Sequence, residues 1–269
     1  MSGPTSVKRD NFDVASKDAG FGGLWALTKI IAAAVVLWQL AQTLLFQSFN
    51  IPSGSLIPSL VIGDYLFVSK FAYGYSHFSL PSFLDLAPGA MPGRLFGAQP
   101  KRGDIVVFKL PSDGRTDYIK RVIGLPGDKI QMLHGRLVIN GALVDRRPLP
   151  PYTTIGHFGR PVEVAHYQEI LPGGASHEII QLEGDEGYYA NTGVYEVPPG
   201  DYFMMGDNRD NSTDSRVAPE HGGVGFVPFE NLVGRAELVF FSVNREEAGS
   251  DVSRWPWLVR WGRLFHIVR

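Results

Sequence analysis

Two adjoining stretches decide the fold: "IIAAAVVLWQLAQTLLFQSF", residues 30–49, and "NIPSGSLIPSLVIGDYLFVSK", residues 50–70. The first is 20 residues long and carries no charge, so as a helix it would span about 30 Å, the thickness of the hydrocarbon core of a bilayer. The second places Ser53 and Ser55 between two prolines and then becomes strand-like. We therefore predict a transmembrane anchor at 30–49 that leads straight into a β-rich domain.

Charges flank the apolar run unevenly. Four basic residues precede it: Lys8, Arg9, Lys17 and Lys29. The first charge after it is Asp64. Because basic residues are retained on the cytoplasmic side, we predict a cytoplasmic tail at 1–29, a single pass, and the remaining chain on the outer side. A buried helix of a soluble domain is one alternative. A cleaved signal peptide is another, although "FNIPSG" lacks a small-x-small cleavage site.

The bulk composition excludes several classes of function. The chain has 269 residues and a net charge of -2, which gives no general attraction to nucleic acid. There is no cysteine, so disulfides, thiol nucleophiles and cysteine-based zinc sites are excluded. The seven histidines lack the spacing of metal ligands. We expect no cofactor, no metal ion and no nucleic-acid partner.

Beyond residue 50 the sequence is mostly typical of β-strands. Short β-branched or aromatic runs such as "GDIVVFKLP" alternate with Gly and Pro, and Asn140-Gly141 is a strong hairpin signal. No long amphipathic helix is visible, which argues against a βαβ architecture. We predict a mainly β fold class, with a single transmembrane helix and then an antiparallel β-sheet domain in two parts, 50–127 and 201–269. A β-rich subdomain is predicted to be inserted at 128–200.

Hydrolytic chemistry requires a nucleophile and a base that removes its proton. The patterns G-x-S-x-G and S-x-x-K are absent and no histidine has a triad context, which leaves a Ser–Lys dyad. Lysine is a base only when neutral, so an apolar site must lower its pKa from about 10.4. In "TDYIKRVIG", Lys120 would share a strand face with Tyr118 and Val122, which is unusual for a lysine. An exposed lysine on an edge strand is the ordinary alternative.

A second polar segment, "GDNRDNSTDSR" at residues 206–216, follows a strand-like run. We call it the polar box. Its composition is typical of a solvated loop that is rich in Asx turns. The alternative is a network in which Asp–Arg pairs fix the loop and a serine hydroxyl orients the lysine amine.

Three segments in order, "PSGSLIP" (52–58), "YIKRVIGLPGD" (118–128) and the polar box, resemble the bacterial type I signal peptidases, also called leader peptidases. The resemblance implies a membrane-bound serine endopeptidase that removes signal peptides from exported preproteins after small residues, of the Ala-x-Ala type. It also implies a location in the bacterial inner membrane, with the catalytic domain on the periplasmic side. The implied partners are preprotein signal peptides and the lipid bilayer, and we expect a monomer.

The resemblance also implies a role for individual residues. Ser55 would be the nucleophile and Lys120 the general base. The Ser53 hydroxyl would complete an oxyanion hole with the Ser55 backbone N–H, and Ser212 would bind the lysine amine. Shallow pockets for small substrate side chains would be lined by Ile51, Pro52, Leu56, Leu60, Tyr118 and Ile119. Structural support would come from Arg121, Asp207, Arg209, Asp214 and Arg216.

The sequence departs from the family pattern in several places. Leu56 stands where methionine is common, "VAPEHGG" is an insertion, and residues 145–200 match only in their turns, so no function is transferred to them. Two other functions stay open. One is a self-cleaving Ser–Lys peptidase of the repressor type, although such proteins lack an apolar anchor. The other is a membrane-anchored β-rich binding protein.

The C-terminal stretch "SRWPWLVRWGRLFHIVR", residues 253–269, mixes tryptophan with arginine. That combination favours the headgroup zone of a membrane, since the indole is amphipathic and the cation attracts anionic lipid. The same residues would equally serve to close the β core and tie down the terminus. The sequence therefore allows either membrane contact or closure of the β core for this segment.

Overall fold

The computed structural model describes residues 17–79, 93–155, 160–244 and 255–268, and it divides into two compact units, Met1–Gln42 and Thr43–Arg269. In these residues one helix, α1 (Lys17–Leu44), is long and apolar enough to cross a membrane, over Gly23–Gln42. None of that stretch is buried by other parts of the protein, as a lipid-facing helix requires.

The helix lies earlier than the anchor predicted at 30–49. It ends at Leu44, and Phe46–Asn50 form strand β1. Apolar composition does not separate a helix from a strand, and the residues from Phe46 onward pair with the next strand along the chain.

Sixteen strands occur in the described residues. They are β1 (Phe46–Asn50), β2 (Asp64–Ser69), β3 (Ile105–Lys109), β4 (Asp117–Gly124), β5 (Lys129–Leu133), β6 (Arg136–Ile139), β7 (Ala142–Leu143), β8 (Asp145–Pro148), β9 (Tyr152–Ile155), β10 (Pro161–Ile170), β11 (Ser176–Gln181), β12 (Tyr195–Glu196), β13 (Asp201–Met205), β14 (Val227–Pro228), β15 (Leu232–Ser242) and β16 (His266–Ile267). A short helix, α2 (Trp255–Leu258), lies between β15 and β16.

The main sheet has eight strands in the order β1-β2-β15-β3-β4-β13-β14, with β16 beside β15, and every pairing is antiparallel. Side chains of β3 alternate between two hydrophobic clusters: Ile105 and Val107 enter one, while Val106 and Phe108 enter the other. The centre of the sheet is therefore buried on both faces, which explains the continuous apolar run of β3.

Two smaller sheets come from the segment predicted to be an insertion. One has the order β12-β5-β6-β7, and the other joins β11, β10 and β8, with β9 beside β10. The hairpin predicted at Asn140-Gly141 is confirmed, since both residues have positive φ and join β6 to β7. The mainly β, antiparallel fold class is confirmed as well. The boundaries of the insertion stay a prediction.

The C-terminal segment returns to the main sheet. Leu258 is buried and β16 pairs with β15, as the core-closing interpretation predicts. Trp257, Trp261 and Phe265 nevertheless remain 83%, 65% and 72% exposed, so membrane contact stays a prediction. The side chain of Trp255, and Arg254 and Arg269, lie outside the described residues.

Candidate active site

Ser55 lies in the segment from the end of β1 to the first residue of β2, residues 51–64, which we call the serine loop. The two ends of this loop are tied together by backbone hydrogen bonds: the Ile51 N–H donates to Asp64 O at 2.8 Å, and the Gly63 N–H donates to Ile51 O at 3.0 Å. Leu56 and Leu60 enter the main hydrophobic cluster and fix the middle of the loop. Ser55 itself is only 6% exposed.

Lys120 faces this serine from the centre of the main sheet. Its strand, β4, is paired on both sides, and the side chain is 4% exposed, so the exposed edge-strand alternative is wrong. Lys120 Nζ is 2.7 Å from Ser55 Oγ and 5.6 Å from the ring centroid of Tyr118. The two predicted dyad residues, 65 positions apart in sequence, thus form a buried hydrogen-bonded pair.

The environment of Lys120 favours its neutral form. Burial is the largest effect and lowers the pKa of the amine to about 8, from an ordinary value of 10.5. The carboxylates of Asp214 and Asp207 act in the opposite direction, and the guanidinium of Arg216 adds to the lowering. A lysine with this pKa is a usable base near neutral pH.

The other two predicted serines differ in their surroundings. Ser53 is exposed, and its Oγ lies 3.5 Å from Ser55 Oγ. The hydroxyl of Ser212 is buried and makes no hydrogen bond, so the predicted contact with Lys120 is not formed. It lies close to the serine loop all the same: a Cβ added to Gly206 would be 2.3 Å from Ser212 Oγ and 2.5 Å from Ser55 O.

The polar box is buried rather than solvated, so the solvated-loop interpretation is wrong for its charged core. Asp214 accepts hydrogen bonds from Nε and Nη2 of Arg216 at 2.9 and 2.8 Å. Asp207 accepts two from Arg121 of β4, both at 2.8 Å. All four side chains are at most 5% exposed. The box is also joined to the serine loop, since the Asn208 N–H donates to Ser55 O at 3.1 Å.

Two residues of the sheet that joins β11, β10 and β8 complete this network, and sequence reasoning missed both. Glu169 of β10 accepts hydrogen bonds from Nη1 of Arg209 at 3.0 Å and from its Nη2. His177 of β11 is buried. Its Nε2 lies 3.4 Å from Glu169 Oε2 and 3.8 Å from Asp207 Oδ1. Burial, reinforced by Arg121 and Arg209, holds the pKa of His177 well below its usual range. No motif in residues 145–200 marks either residue.

The buried ion pairs within and around the polar box balance in charge. Three arginines pair with three carboxylates: Arg121 with Asp207, Arg209 with Glu169, and Arg216 with Asp214. Each buried charge therefore has an opposite partner at hydrogen-bonding distance, as burial of ions requires.

A cleft of about 360 Å³ opens beside the dyad, and a second of about 210 Å³ adjoins it. Of the predicted pocket residues, these clefts are lined by Ile51, Pro52, Tyr118 and Ile119. Leu56 and Leu60 are 1% and 0% exposed, lie in the core and line neither cleft. The prediction that these two leucines line the substrate pockets is therefore wrong. The packing of the loop turns them inward.

Asn211 and Thr213 also line the larger cleft. Both are exposed, whereas Ser212 and Asp214 are buried. Asn211, Ser212, Thr213 and Asp214 are all polar and lie outside any strand, so the sequence gives no pattern that marks which of them face the cleft. Among the described residues there is no group of three or more histidine or acidic side chains that could hold a metal ion.

Comparison with known proteins gives consistent matches. A family model described as "Signal peptidase, peptidase S26" matches residues 24–241. A protein named signal peptidase I from Rickettsia typhi is 39% identical over 254 residues, which cover 89% of this chain and 90% of that protein. One of the same name from Rickettsia prowazekii is 38% identical over 250 residues, covering 88% and 89%.

A solved structure was also matched. It is a crystal structure of a signal peptidase I from Enterococcus faecalis, 26% identical, with a TM-score of 0.30. The match covers 51% of this chain and 97% of that one. At so low a TM-score the likeness adds nothing to the description of the fold.

Proposed function

Since this chain belongs to the peptidase S26 family of signal peptidases, the enzymes that remove signal peptides from preproteins, we propose that it does so with Ser55 as the nucleophile and Lys120 as the general base. The observation that carries the proposal is the 2.7 Å contact between the buried lysine amine and the serine hydroxyl. A serine hydroxyl needs an adjacent base of this kind to become a nucleophile. Both residues line the larger cleft, where a substrate has access.

The reaction proceeds in two steps. Neutral Lys120 accepts the hydroxyl proton while Ser55 Oγ attacks the scissile carbonyl carbon, and the lysine ammonium then gives that proton to the leaving amine. The carboxyl end of the signal peptide is left as an ester on Ser55. Water, deprotonated by Lys120, hydrolyses the ester and restores the enzyme.

Ser53 stabilises the charge that develops in both steps. Ser53 lines the larger cleft with its Oγ 3.5 Å from Ser55 Oγ, and we assign its hydroxyl to the oxyanion together with the Ser55 backbone N–H. The apolar lining of the two clefts by Ile51, Pro52, Tyr118 and Ile119 suits the methyl side chains of an Ala-x-Ala signal. Ser212 supports the site by packing against the serine loop rather than by bonding to the lysine.

The apolar helix is the basis for a proposal on location. We propose that Gly23–Gln42 crosses the membrane once, with the N-terminus in the cytoplasm and the catalytic unit on the outer side. We further propose that the protein is a monomer and that its partners include the lipid bilayer. The chain has no native cysteine, so single cysteines report cleanly. Ser6→Cys should react with an impermeant maleimide only after the cells are permeabilised, and Glu220→Cys should react in intact cells. The reverse pattern would overturn this orientation.

The activity is tested with the full chain in detergent and a preprotein that carries an Ala-x-Ala signal. Wild type should cleave it, while Ser55→Ala and Lys120→Ala should each lose several orders of magnitude in kcat, because neither partner works alone. Lys129→Ala is the matched control, an exposed lysine paired with Glu196, and should keep full activity. Binding without cleavage by wild type would indicate a binding protein instead. Activity that survives loss of Ser55 would refute the dyad.

A further inference from the structure

Part of the C-terminal segment reaches back to the serine loop. We call residues 258–268 the latch. Arg263 donates from Nε to Oδ1 of Asp64 at 3.0 Å and from Nη2 to Oδ2 at 2.6 Å. The same Nη2 donates to the backbone carbonyl of Ser59 at 3.0 Å. One guanidinium therefore holds two points of the loop, and its planar fork suits the bidentate contact with the carboxylate.

A second arginine of the latch binds the same part of the serine loop. Arg260 donates from Nη1 to the carbonyl of Ile62 at 2.8 Å. Next to it, the Val243 N–H donates to Gly63 O at 3.1 Å. The approach is so close that a Cβ on Gly63 would lie 2.0 Å from the carbonyl oxygen of Val243. Four positions of the loop, Ser59, Ile62, Gly63 and Asp64, are thus held from this side.

Asp64 is the centre of this contact. Its side chain is fully buried, and besides Arg263 it accepts hydrogen bonds from the Val61 N–H at 2.9 Å and from the Ser242 hydroxyl at 2.7 Å. Among the described residues, Arg263 is the cation paired with this carboxylate. A buried carboxylate that loses its cation is strongly disfavoured, so removal of the arginine would drive this part of the loop to rearrange.

The latch is firmly attached to the main sheet. Its first residue, Leu258, is 3% exposed, and Val239 of β15 pairs with His266 of β16. Val268 packs against the hydrophobic cluster that holds Leu56. A rigid support is what a group that fixes another segment needs.

We propose that Arg263, assisted by Arg260, is a positioning residue that holds the serine loop so that Ser55 Oγ stays within hydrogen-bonding distance of Lys120 Nζ. The loop is then clamped on two sides, by the latch at residues 59–64 and by Asn208 of the polar box at Ser55. The inference rests on the proposed function of Ser55 and Lys120. A displacement of a reacting atom by about 1 Å costs up to about a hundredfold in rate, so a loosened loop should be visible in kcat.

The kinetic test compares two arginines in the full chain in detergent. Arg263→Met should lower kcat by about tenfold or more with KM changed less than about twofold, since the loop is misplaced but the cleft remains. Arg263→Lys should recover part of kcat, because an ammonium replaces the charge but not the fork. Arg102→Met is the matched control: Arg102 pairs with Asp128 at 2.8 Å, both are largely buried, and neither contacts the serine loop. It should lower the melting temperature while kcat stays at the wild-type value.

Hydrogen exchange gives a second readout that does not depend on catalysis. In Arg263→Met, amides of residues 51–64 should exchange faster than in wild type, since Ile51, Val61 and Gly63 donate the bonds that close the loop. In Arg102→Met this peptide should be unchanged. If Arg263→Met keeps wild-type exchange at 51–64 and wild-type kcat, or if Arg102→Met reduces kcat equally, the positioning role is refuted. Faster exchange with cleavage that persists in Ser55→Ala would keep the latch and refute the assigned nucleophile.

Discussion

Two polar loops of this molecule have similar composition and opposite surroundings. The charged core of the polar box is buried, whereas residues 110–117, "LPSDGRTD", are largely exposed. In the exposed loop, Asp113 accepts hydrogen bonds from the N–H groups of Arg115 and Thr116 at 2.8 and 3.0 Å, an Asx turn that needs no partner outside the loop. In the box, Asp207 and Arg209 bind partners from β4 and β10.

The difference between these loops is one of partners rather than composition. A carboxylate that is satisfied by its own turn can remain in solvent, and its removal disturbs little. A carboxylate that is paired with a distant arginine can be buried, and it then joins the elements it connects. We therefore expect substitutions in the charged core of the polar box to lower stability and cleavage far more than substitutions in the exposed loop.

Arg216→Met tests the buried loop by removing one partner of a buried ion pair. It leaves Asp214 without its cation in a fully buried position, which should cost about 3–5 kcal/mol in unfolding free energy and abolish cleavage. Thermal unfolding of the full chain in detergent and a preprotein assay measure the two effects. Arg115→Met in the exposed loop is the control and should change neither. Equal behaviour of the two variants would show that burial of the box is unimportant.

Ser53→Ala tests whether an exposed residue is dispensable merely because it is exposed. If Ser53 binds the oxyanion, its loss should reduce kcat by about 10²–10³-fold, or roughly 3–4 kcal/mol, with little change in KM. Ser53→Thr keeps the hydroxyl and should be tolerated better. Equal losses for Ala and Thr would assign Ser53 to packing or turn geometry, and steady-state kinetics on one preprotein distinguish the outcomes.

The pH dependence of cleavage tests whether the buried Lys120 is the base. Because its pKa is lowered to about 8, kcat/KM should rise about tenfold per pH unit below that value and level off above it. A profile that instead follows a group near pH 4 would indicate a carboxylate base. The profile of Lys129→Ala should coincide with that of wild type.

The same pKa also affects stability, with a sign that can be checked. Between pH 8 and 10.5 the unfolded lysine binds a proton that the folded lysine does not, so stability should rise with pH across this window. Lys120→Met lacks this group and should melt above wild type at pH 7, by a margin that narrows as the pH is raised to 10.5. A margin that does not depend on pH would argue against a lowered lysine pKa.

Asp113→Ala should have the smallest effect of the series. Hydrogen bonds from the Thr116 hydroxyl and from the N–H groups of Arg115 and Thr116 lower the pKa of Asp113 to about 2. Its modest contribution is present above pH 3.8 and is lost as the pH falls towards 2, so at pH 7 the substitution should leave kcat unchanged and the melting temperature only slightly lower. A loss of cleavage would give this loop a role in the site.

Local patterns predicted the parts of the site that depend on near neighbours in sequence. Strand alternation placed Lys120 beside Tyr118, and Asn140-Gly141 gave its hairpin. Ser55 and Lys120 are 65 positions apart, and no periodicity of the sequence relates them. Their pairing was predicted from the resemblance of their two segments to a known family.

The contacts that sequence reasoning missed are all long-range. Arg209 and Glu169 are 40 positions apart, and Arg263 and Asp64 are 199 apart. Such pairs follow from how the sheets close, and a single sequence carries no local signal for them. The start of β1 at Phe46 was missed for a different reason, because an apolar residue fits the end of a helix and the start of a strand equally well.

The pairing of three arginines with three carboxylates has a consequence for how the enzyme responds to the fluid around it. Opposite charges in contact largely cancel each other's field beyond their immediate surroundings, and dissolved ions screen buried pairs far less than exposed ones, for which the screening length is about 8 Å at physiological ionic strength. The groups that set the pKa of Lys120 are enclosed with it. The working pH range should therefore be the same in dilute and in salty medium.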